Sequence, residues 1–171
     1  MRNQKFEIVE LPPDGALIYY HPGVTTERGH DGLLFRVLPL NAESWICMVE
    51  DRFGCEVPGP FMMPDGKKIF ANGYLLSCAD PKDWSEMAVC PVRGARWTPA
   101  GDIVVFHSYS TAAAYGRRGL MWERNLVTDD LKILAISDTV VRVDGFLQDD
   151  ELIVDLQNGQ IIEDWPSEET S

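Results

Sequence analysis

Short apolar runs separated by chain-reversing residues limit what this chain of 171 residues can fold into. Runs such as 32–38, 44–50 and 102–109 are rich in Val, Ile, Phe, Tyr and Trp, the residues that favour β-strands. Asp-Gly and Asn-Gly pairs stand between several of the runs, and both pairs readily form tight turns. The pattern predicts a mainly β fold, either an antiparallel sandwich or a partial-propeller-like meander with one short helix.

The apolar runs define the predicted strands and a single domain. Arg142 between Val141 and Val143 shows the alternation expected of a strand with one buried face. The length suits one domain over residues 1–171, with peripheral ends at about 1–14 and 166–171. Strands are predicted at residues 16–20, 32–38, 44–50, 67–78, 102–109, 119–127, 131–137, 139–147 and 151–156.

One short helix is predicted to begin at Asp80. An aspartate can cap a helix, and Pro81 suits the first helical position. The helix would run for about nine residues, through Trp84 and Met87, and would plug one end of the sheets.

Four segments repeat a polar turn followed by an apolar strand. Their sequences are MPDGKKIF, TPAGDIVVF, VTDDLKIL and LQDDELIV. This rhythm resembles the turn-and-strand pattern of β-propeller blades, of which a chain of this length would hold about three or four. The spacings are irregular and no Trp-Asp pair ends the segments, so the resemblance implies a fold and no functional residues.

The charge of the chain favours a basic partner. The chain has 27 acidic and 15 basic residues, which gives a formal net charge of −12. Such a chain repels phosphate backbones and anionic lipids, so we expect a basic protein as partner, with no nucleic acid and no membrane. Residues 125–171 carry twelve acids and two bases, a net charge of −10. The predicted partner surface consists of Asp129, Asp130, Asp149, Asp150, Glu151 and Asp155.

A small basic island precedes this acidic segment. Residues 86–124 contain five arginines and three acids, a net charge of +2. Long charged side chains usually lie on a solvated surface, and these arginines are therefore expected to pair with the acidic segment.

The stretch FHSYSTAAAYGRRGLMWE, residues 106–123, combines the residue types of a binding surface. We interpret it as the end of one strand, a connection with at most a single helical turn at 110–116, and the start of the next strand. Tyr and Arg often anchor interfaces, and glycines flank Arg117 and Arg118, which can present guanidiniums to a carboxylate or phosphate. The predicted binding-loop residues are His107, Tyr109, Tyr115, Arg117, Arg118 and Trp122.

Catalytic patterns are weaker than binding patterns. His107 and Ser108 are neighbours in a predicted strand, so their side chains should diverge, and no G-x-S-x-G sequence is present. The glycine patterns of nucleotide-binding loops are also missing, and we expect no cofactor. His21 and His30 lie in one loop beside carboxylates and form the alternative candidate for a metal site.

The cysteines and the N-terminus predict a cytoplasmic protein with reduced thiols. No apolar run of signal-peptide length follows the first basic residues, and the four cysteines form no C-x-x-C pair. In an oxidising compartment, bridges Cys47–Cys55 and Cys78–Cys90 would be the alternative.

These patterns favour a non-catalytic interaction protein. Its acidic surface would recognise a basic protein, as in bacterial immunity or inhibitor proteins. The alternatives are a small-molecule-binding β module that takes an anionic ligand at Arg117 and Arg118, and a metal-dependent enzyme without a recognisable motif.

Overall fold

A computed structural model describes residues 5–10, 14–21, 32–51, 54–126, 130–144 and 151–162. These residues form fifteen strands in four small sheets and contain no helix. The prediction of a mainly β, meander-like fold is confirmed, and the predicted short helix is wrong.

The sheets follow one another along the chain, and we number them in that order. Sheet 1 contains β1 (Lys5–Ile8), β2 (Ile18–His21), β3 (Gly32–Leu38) and β4 (Trp45–Glu50). Sheet 2 contains β5 (Phe61–Met62), β6 (Lys68–Ala71), β7 (Tyr74–Ser77) and β8 (Trp84–Glu86). Sheet 3 contains β9 (Gly94–Trp97), β10 (Val104–His107), β11 (Thr111–Gly116) and β12 (Gly119–Asn125). Sheet 4 contains β13 (Lys132–Ile136), β14 (Val140–Asp144) and β15 (Leu152–Asp155).

Sheets 2, 3 and 4 are antiparallel meanders in which consecutive strands are neighbours. Sheet 1 has the order β1-β3-β4-β2, and its β2 and β4 pair in parallel. This pair therefore departs from the antiparallel pairing that was predicted and that the other strand pairs show. The chain passes through β3 between the two strands, and this leaves β2 and β4 running in the same direction.

The segment predicted as a helix is a turn followed by an edge strand. The Asp80 side chain accepts a hydrogen bond from the Lys82 backbone at 2.9 Å, and Asp83 N–H donates to the Asp80 carbonyl at 3.1 Å. Asp-Pro opens a β-turn as readily as a helix. Pairing with β7 decides the outcome, because it places the Trp84 ring against Tyr74, with centroids 5.7 Å apart.

The central strands of sheet 3, β10 and β11, are buried on both faces because their alternate residues point towards different neighbouring sheets. Phe106 and Tyr115 pack with Phe70 in the core between sheets 2 and 3. Val105 and Trp122 belong instead to the core between sheets 3 and 4. Sheet 3 therefore joins two apolar cores.

Sheet 2 is divided between two cores in the same way. Ile69 and Tyr74 pack with Phe35 in the core between sheets 1 and 2. Phe70 and Leu75 face sheet 3. Three apolar layers thus connect the four sheets in chain order.

Sheet 4 shows the alternation predicted at Arg142. Val141 and Val143 are buried in the core shared with sheet 3, whereas Arg142 is exposed. Sheet 4 therefore buries one face and exposes the other, whereas the central strands of sheets 2 and 3 bury both faces.

All four cysteines are free. Cys47 and Cys78 lie in the core between sheets 1 and 2, and Cys55 lies in the core between sheets 2 and 3. The alternative bridges Cys47–Cys55 and Cys78–Cys90 are not formed.

Truncation of Phe106 should destabilise the stack strongly. Its ring is fully buried and contacts those of Phe61, Phe70 and Tyr115. We expect Phe106→Ala to lower the free energy of unfolding by about 3–5 kcal/mol in urea titrations. Leu134→Ala, at a side chain that is 46% exposed, is the matched control and should change it by no more than about 0.5 kcal/mol. Equal losses in the two variants would contradict this description of the core.

Candidate functional site

The stretch 106–123 is two hairpins rather than one binding loop. Residues predicted as a connection form β11, which pairs with β10 on one side and β12 on the other. The Ala-rich sequence was consistent with a helical turn, but pairing on both sides imposes a strand. The six residues of β11 separate the two ends of the stretch by roughly 17 Å. His107 and Tyr109 therefore lie at one end of sheet 3, and Arg117 and Arg118 lie at the other.

His107 is buried at the end of β10. Its Nδ1 lies 3.1 Å from the Ser108 carbonyl oxygen, a geometry that assigns the proton to Nδ1 and leaves the lone pair on Nε2. Burial lowers the pKa of the imidazole, and the charge of Arg93 lowers it further. Gly94 faces the ring, and a Cβ at this position would overlap it. The imidazole is thus neutral and closely packed.

Arg93 contacts two carboxylates and one aromatic ring next to His107. Its Nε lies 2.8 Å from Glu56 Oε1, its Nη1 lies 3.4 Å from Asp130 Oδ1, and its guanidinium stacks over Tyr109 at 4.4 Å. Lys132 Nζ lies 3.0 Å from Asp130 Oδ2, and its hydrogen bond lowers the pKa of the Asp130 carboxyl. The predicted pairing of the basic island with the acidic segment occurs here, between Arg93 and Asp130.

A shallow groove of about 560 Å³ lies beside this ion network. Val57, Ala95 and Leu134 provide apolar walls, and Arg96 adds a charge. The surrounding carboxylates already neutralise Arg93 and Lys132, so the groove offers a ligand few unpaired groups.

The opposite end of sheet 3 carries the turn Arg117–Arg118 between β11 and β12. Both side chains are exposed, and neither forms an ion pair with any residue that the structure describes. Arg118 lines a cavity of about 440 Å³ between sheets 2 and 3, and Arg117 does not. Tyr115 contributes to the wall of the same cavity.

Trp122 is a core residue, and its assignment to a binding loop is wrong. Only 6% of its surface is exposed. Its Nε1 donates a hydrogen bond to the Leu156 carbonyl at 2.8 Å, and Gly159 lies against the ring. The indole therefore joins sheet 3 to the segment after β15 and is inaccessible to a partner.

The described members of the predicted acidic surface are engaged within the chain. Asp130 pairs with Arg93 and Lys132, and Glu151 accepts a hydrogen bond from Arg142 Nε at 2.8 Å. The Asp155 carboxylate accepts hydrogen bonds from the backbone N–H groups of two residues in the following turn, at 2.7 and 3.2 Å. Asp129, Asp149 and Asp150 lie outside the described residues.

His21 lies buried between sheets 1 and 2. Its ring packs edge-on against Trp84, with centroids 5.7 Å apart, and burial lowers its pKa. Neither ring nitrogen has a hydrogen-bond partner among the residues described. His30, the other predicted ligand, lies outside them, and the described part of the chain contains no cluster of three metal-ligating side chains.

The cysteines are poorly suited to nucleophilic chemistry. Burial raises the pKa of Cys47, and it raises those of Cys78 and Cys90 to about 11. These thiols are therefore protonated at neutral pH, whereas the thiolate is the reactive form. His107 and Ser108 meet only through the Ser108 backbone carbonyl, so the structure shows no hydroxyl–imidazole pair there.

Sequence reasoning identified Arg118 but missed its neighbours from sheet 2. Lys68 and Ser85 line the same cavity, although they are distant from Arg118 along the chain. The ion pair between Arg93 and Glu56 was also missed, although Arg93 was expected to pair with the acidic segment. No local motif marks any of these residues, because only the packing of one sheet on another brings them together.

Comparisons with known proteins assign the chain to no family. No protein-family model matches the chain, and no curated protein matches it. Among solved structures, the β-propeller domain of Cps50 (Swd1) from Myceliophteria thermophila is similar, with a TM-score of 0.45 and 9% sequence identity. The alignment covers 77% of this chain and 52% of that domain, so the chain spans about half its length. The fold consists of four β-sheets in chain order, each of which shares an apolar core with the next, and the last three are antiparallel meanders. The described residues contain no helix long and apolar enough to cross a membrane.

Gly94 should be intolerant of a side chain. A Cβ there would displace the buried His107 ring, and Gly94→Ala should lower the free energy of unfolding by about 1–3 kcal/mol. The same substitution in a His107→Ala background should cost clearly less, because the obstructing ring is then absent. Urea titrations of the four proteins measure this coupling. If the losses in free energy of unfolding of the two single variants simply add in the double variant, the contact between Gly94 and the His107 ring is contradicted.

Acid should destabilise the protein through its buried histidines. The pKa values of His21 and His107 are lowered by folding, so the unfolded chain binds protons first as the pH falls. Stability should be complete above the unfolded pKa of about 6.5 and should fall below it by up to about 1.4 kcal/mol per pH unit for each histidine. Urea midpoints at pH 7.5, 6.5 and 5.5 measure this, above the range where most carboxylates titrate.

A His21→Phe variant is the control for this pH dependence. The substitution removes the titration and breaks no hydrogen bond within the described residues. Its stability should vary less between pH 7.5 and 5.5 than that of the unaltered protein. An unchanged dependence would exclude His21 as a cause.

Proposed function

We propose that this protein is a non-catalytic interaction module that recognises a basic protein partner. The formal net charge of −12 is the observation that carries the proposal. Long-range attraction to a basic surface would accelerate association and make it sensitive to salt.

The distribution of ion pairs supports this proposal. Arg36, Arg93, Lys132 and Arg142 each pair with a carboxylate of the chain itself. These four cations cancel local negative charge, and the excess of the other acids over the other cations sets the outward potential.

The proposed contact surface differs from the one expected from the sequence. Asp130 and Glu151 are already in ion pairs. Asp80 and Asp83 are exposed, and neither is ion-paired with any part of the chain that the structure describes. They precede β8, the edge strand of sheet 2, so a partner can approach them without disturbing either core.

The proposal predicts loss of binding when these two carboxylates are neutralised. Immobilised protein would capture a partner from lysate of the source cells at low salt, and the purified partner should be basic and bind directly. We expect Asp80→Asn/Asp83→Asn to weaken this binding about tenfold, in line with other charge substitutions at interfaces. Asp138→Asn/Asp144→Asn, an equal charge change at two exposed sites of sheet 4, is the control and should have a smaller effect.

Salt provides the second criterion. Raising the ionic strength from 50 to about 500 mM should reduce the association rate strongly, because exposed charges are screened. A partner that is acidic, or whose association rate is unaffected by salt, would contradict the proposal. Equal effects of the two double variants would exclude the surface at Asp80 and Asp83.

A further inference from the structure

A cavity of about 440 Å³ opens between sheets 2 and 3 at the Arg117–Arg118 turn. Its volume lies within the range of small-molecule sites, which combine apolar walls with a few convergent polar groups. The cavity is separate from the proposed contact surface at Asp80 and Asp83, neither of which lines it.

The apolar walls of the cavity come from the facing sides of the two sheets. Leu75 of β7 lies on the face of sheet 2 that packs against sheet 3, and Met63 precedes β6 on the same side. Tyr115 and Leu120 are register partners on β11 and β12, and both line the cavity. Leu120 is 51% exposed, so part of this apolar surface is open to solvent.

A β-bulge flanks the charged turn at the mouth of the cavity. Ala114 pairs with Trp122 and Tyr115 pairs with Leu120, so Met121 is the extra residue and lies on β12, after the turn. Gly119 follows the turn with a φ of 96°, a conformation that favours glycine. The bulge therefore lies on the strand that follows the turn, and Arg118 of that turn lines the cavity.

Two cations and two anions line the cavity, and they are not equivalent. Lys68 and Arg118 form no ion pair with the described residues. Asp65 Oδ1 already accepts hydrogen bonds from the backbone N–H groups of Lys67 and Lys68, at 2.8 and 3.0 Å. Glu86 is exposed at the rim. The unpaired guanidinium and ammonium favour an anion, while the two carboxylates disfavour a doubly charged one.

We propose that this cavity binds a small monoanionic carboxylate with an apolar body. The planar guanidinium of Arg118 would hold the carboxylate through two parallel hydrogen bonds, and Lys68 would add a second positive charge. The apolar body would lie against Leu75, Tyr115 and Leu120. A phosphate dianion carries the same acceptor geometry, but Asp65 and Glu86 oppose its second charge.

Phenylacetate and phenylacetamide are the probes, because they differ only in the charged group. Titration of ¹⁵N-labelled protein with phenylacetate should shift backbone amides of the cavity, above all those of Leu75, Ser85 and Leu120. Phenylacetamide should bind at least about tenfold more weakly, because a charged hydrogen-bonded pair is lost. Phenyl phosphate should also bind more weakly than phenylacetate.

Two neighbouring arginines supply a matched pair of variants. Arg118→Gln should weaken phenylacetate binding about tenfold or more, whereas Arg117→Gln should change it less than about twofold. Both remove one charge from the same exposed turn, so a general charge effect would appear in both. Lys68→Gln should also weaken binding, from the opposite wall of the cavity.

Three results would overturn the proposal. They are absence of cavity shifts at millimolar phenylacetate, equal binding of acid and amide, and equal effects of the Arg117 and Arg118 variants. None of them concerns the basic protein partner, whose test depends on Asp80 and Asp83.

Discussion

Burial of both faces of sheets 2 and 3 is the constraint on which the rest of the structure depends. A strand that contacts apolar neighbours on both sides cannot alternate apolar with charged residues, and β10 is buried at all four of its positions. β11 follows the same rule with three consecutive alanines at 112–114, small side chains that fit between the neighbouring sheets. In sheets 2 and 3, the surface open to a partner or ligand therefore lies mainly at sheet edges, turns and the gaps between sheets.

The gaps at the two ends of sheet 3 have different chemistry. At the His107 end, Arg93 and Lys132 are satisfied by Glu56 and Asp130, and these ion pairs connect the segments around sheets 2, 3 and 4. Such partly exposed pairs contribute modestly to stability. At the Arg118 end, the cations remain unpaired among the described residues and border an apolar cavity. This difference makes the Arg118 end the better candidate for ligand binding.

The sequence predicted those strands whose pattern is local. The strand β3 was predicted at its observed bounds, residues 32–38. The predicted turn at Asn72–Gly73 lies between β6 and β7, with the positive φ values of 46° and 85° that Asn and Gly tolerate. The strands β1, β5, β8, β9 and β11 were not predicted, because short or Ala-rich segments carry little intrinsic preference and acquire theirs from their neighbours. The same dependence on neighbours turned the predicted helix at Asp80 into a turn and an edge strand.

The sequence by itself determined the β class, the excess of negative charge and the presence of an arginine turn at 117–118, because composition and residue spacing carry these properties. Only the tertiary structure decided that Trp122 is a core residue, that Asp130 is neutralised by Arg93, and that Lys68 lies across a cavity from Arg118. Each of these depends on residues far apart in the chain, which meet only when one sheet packs on the next.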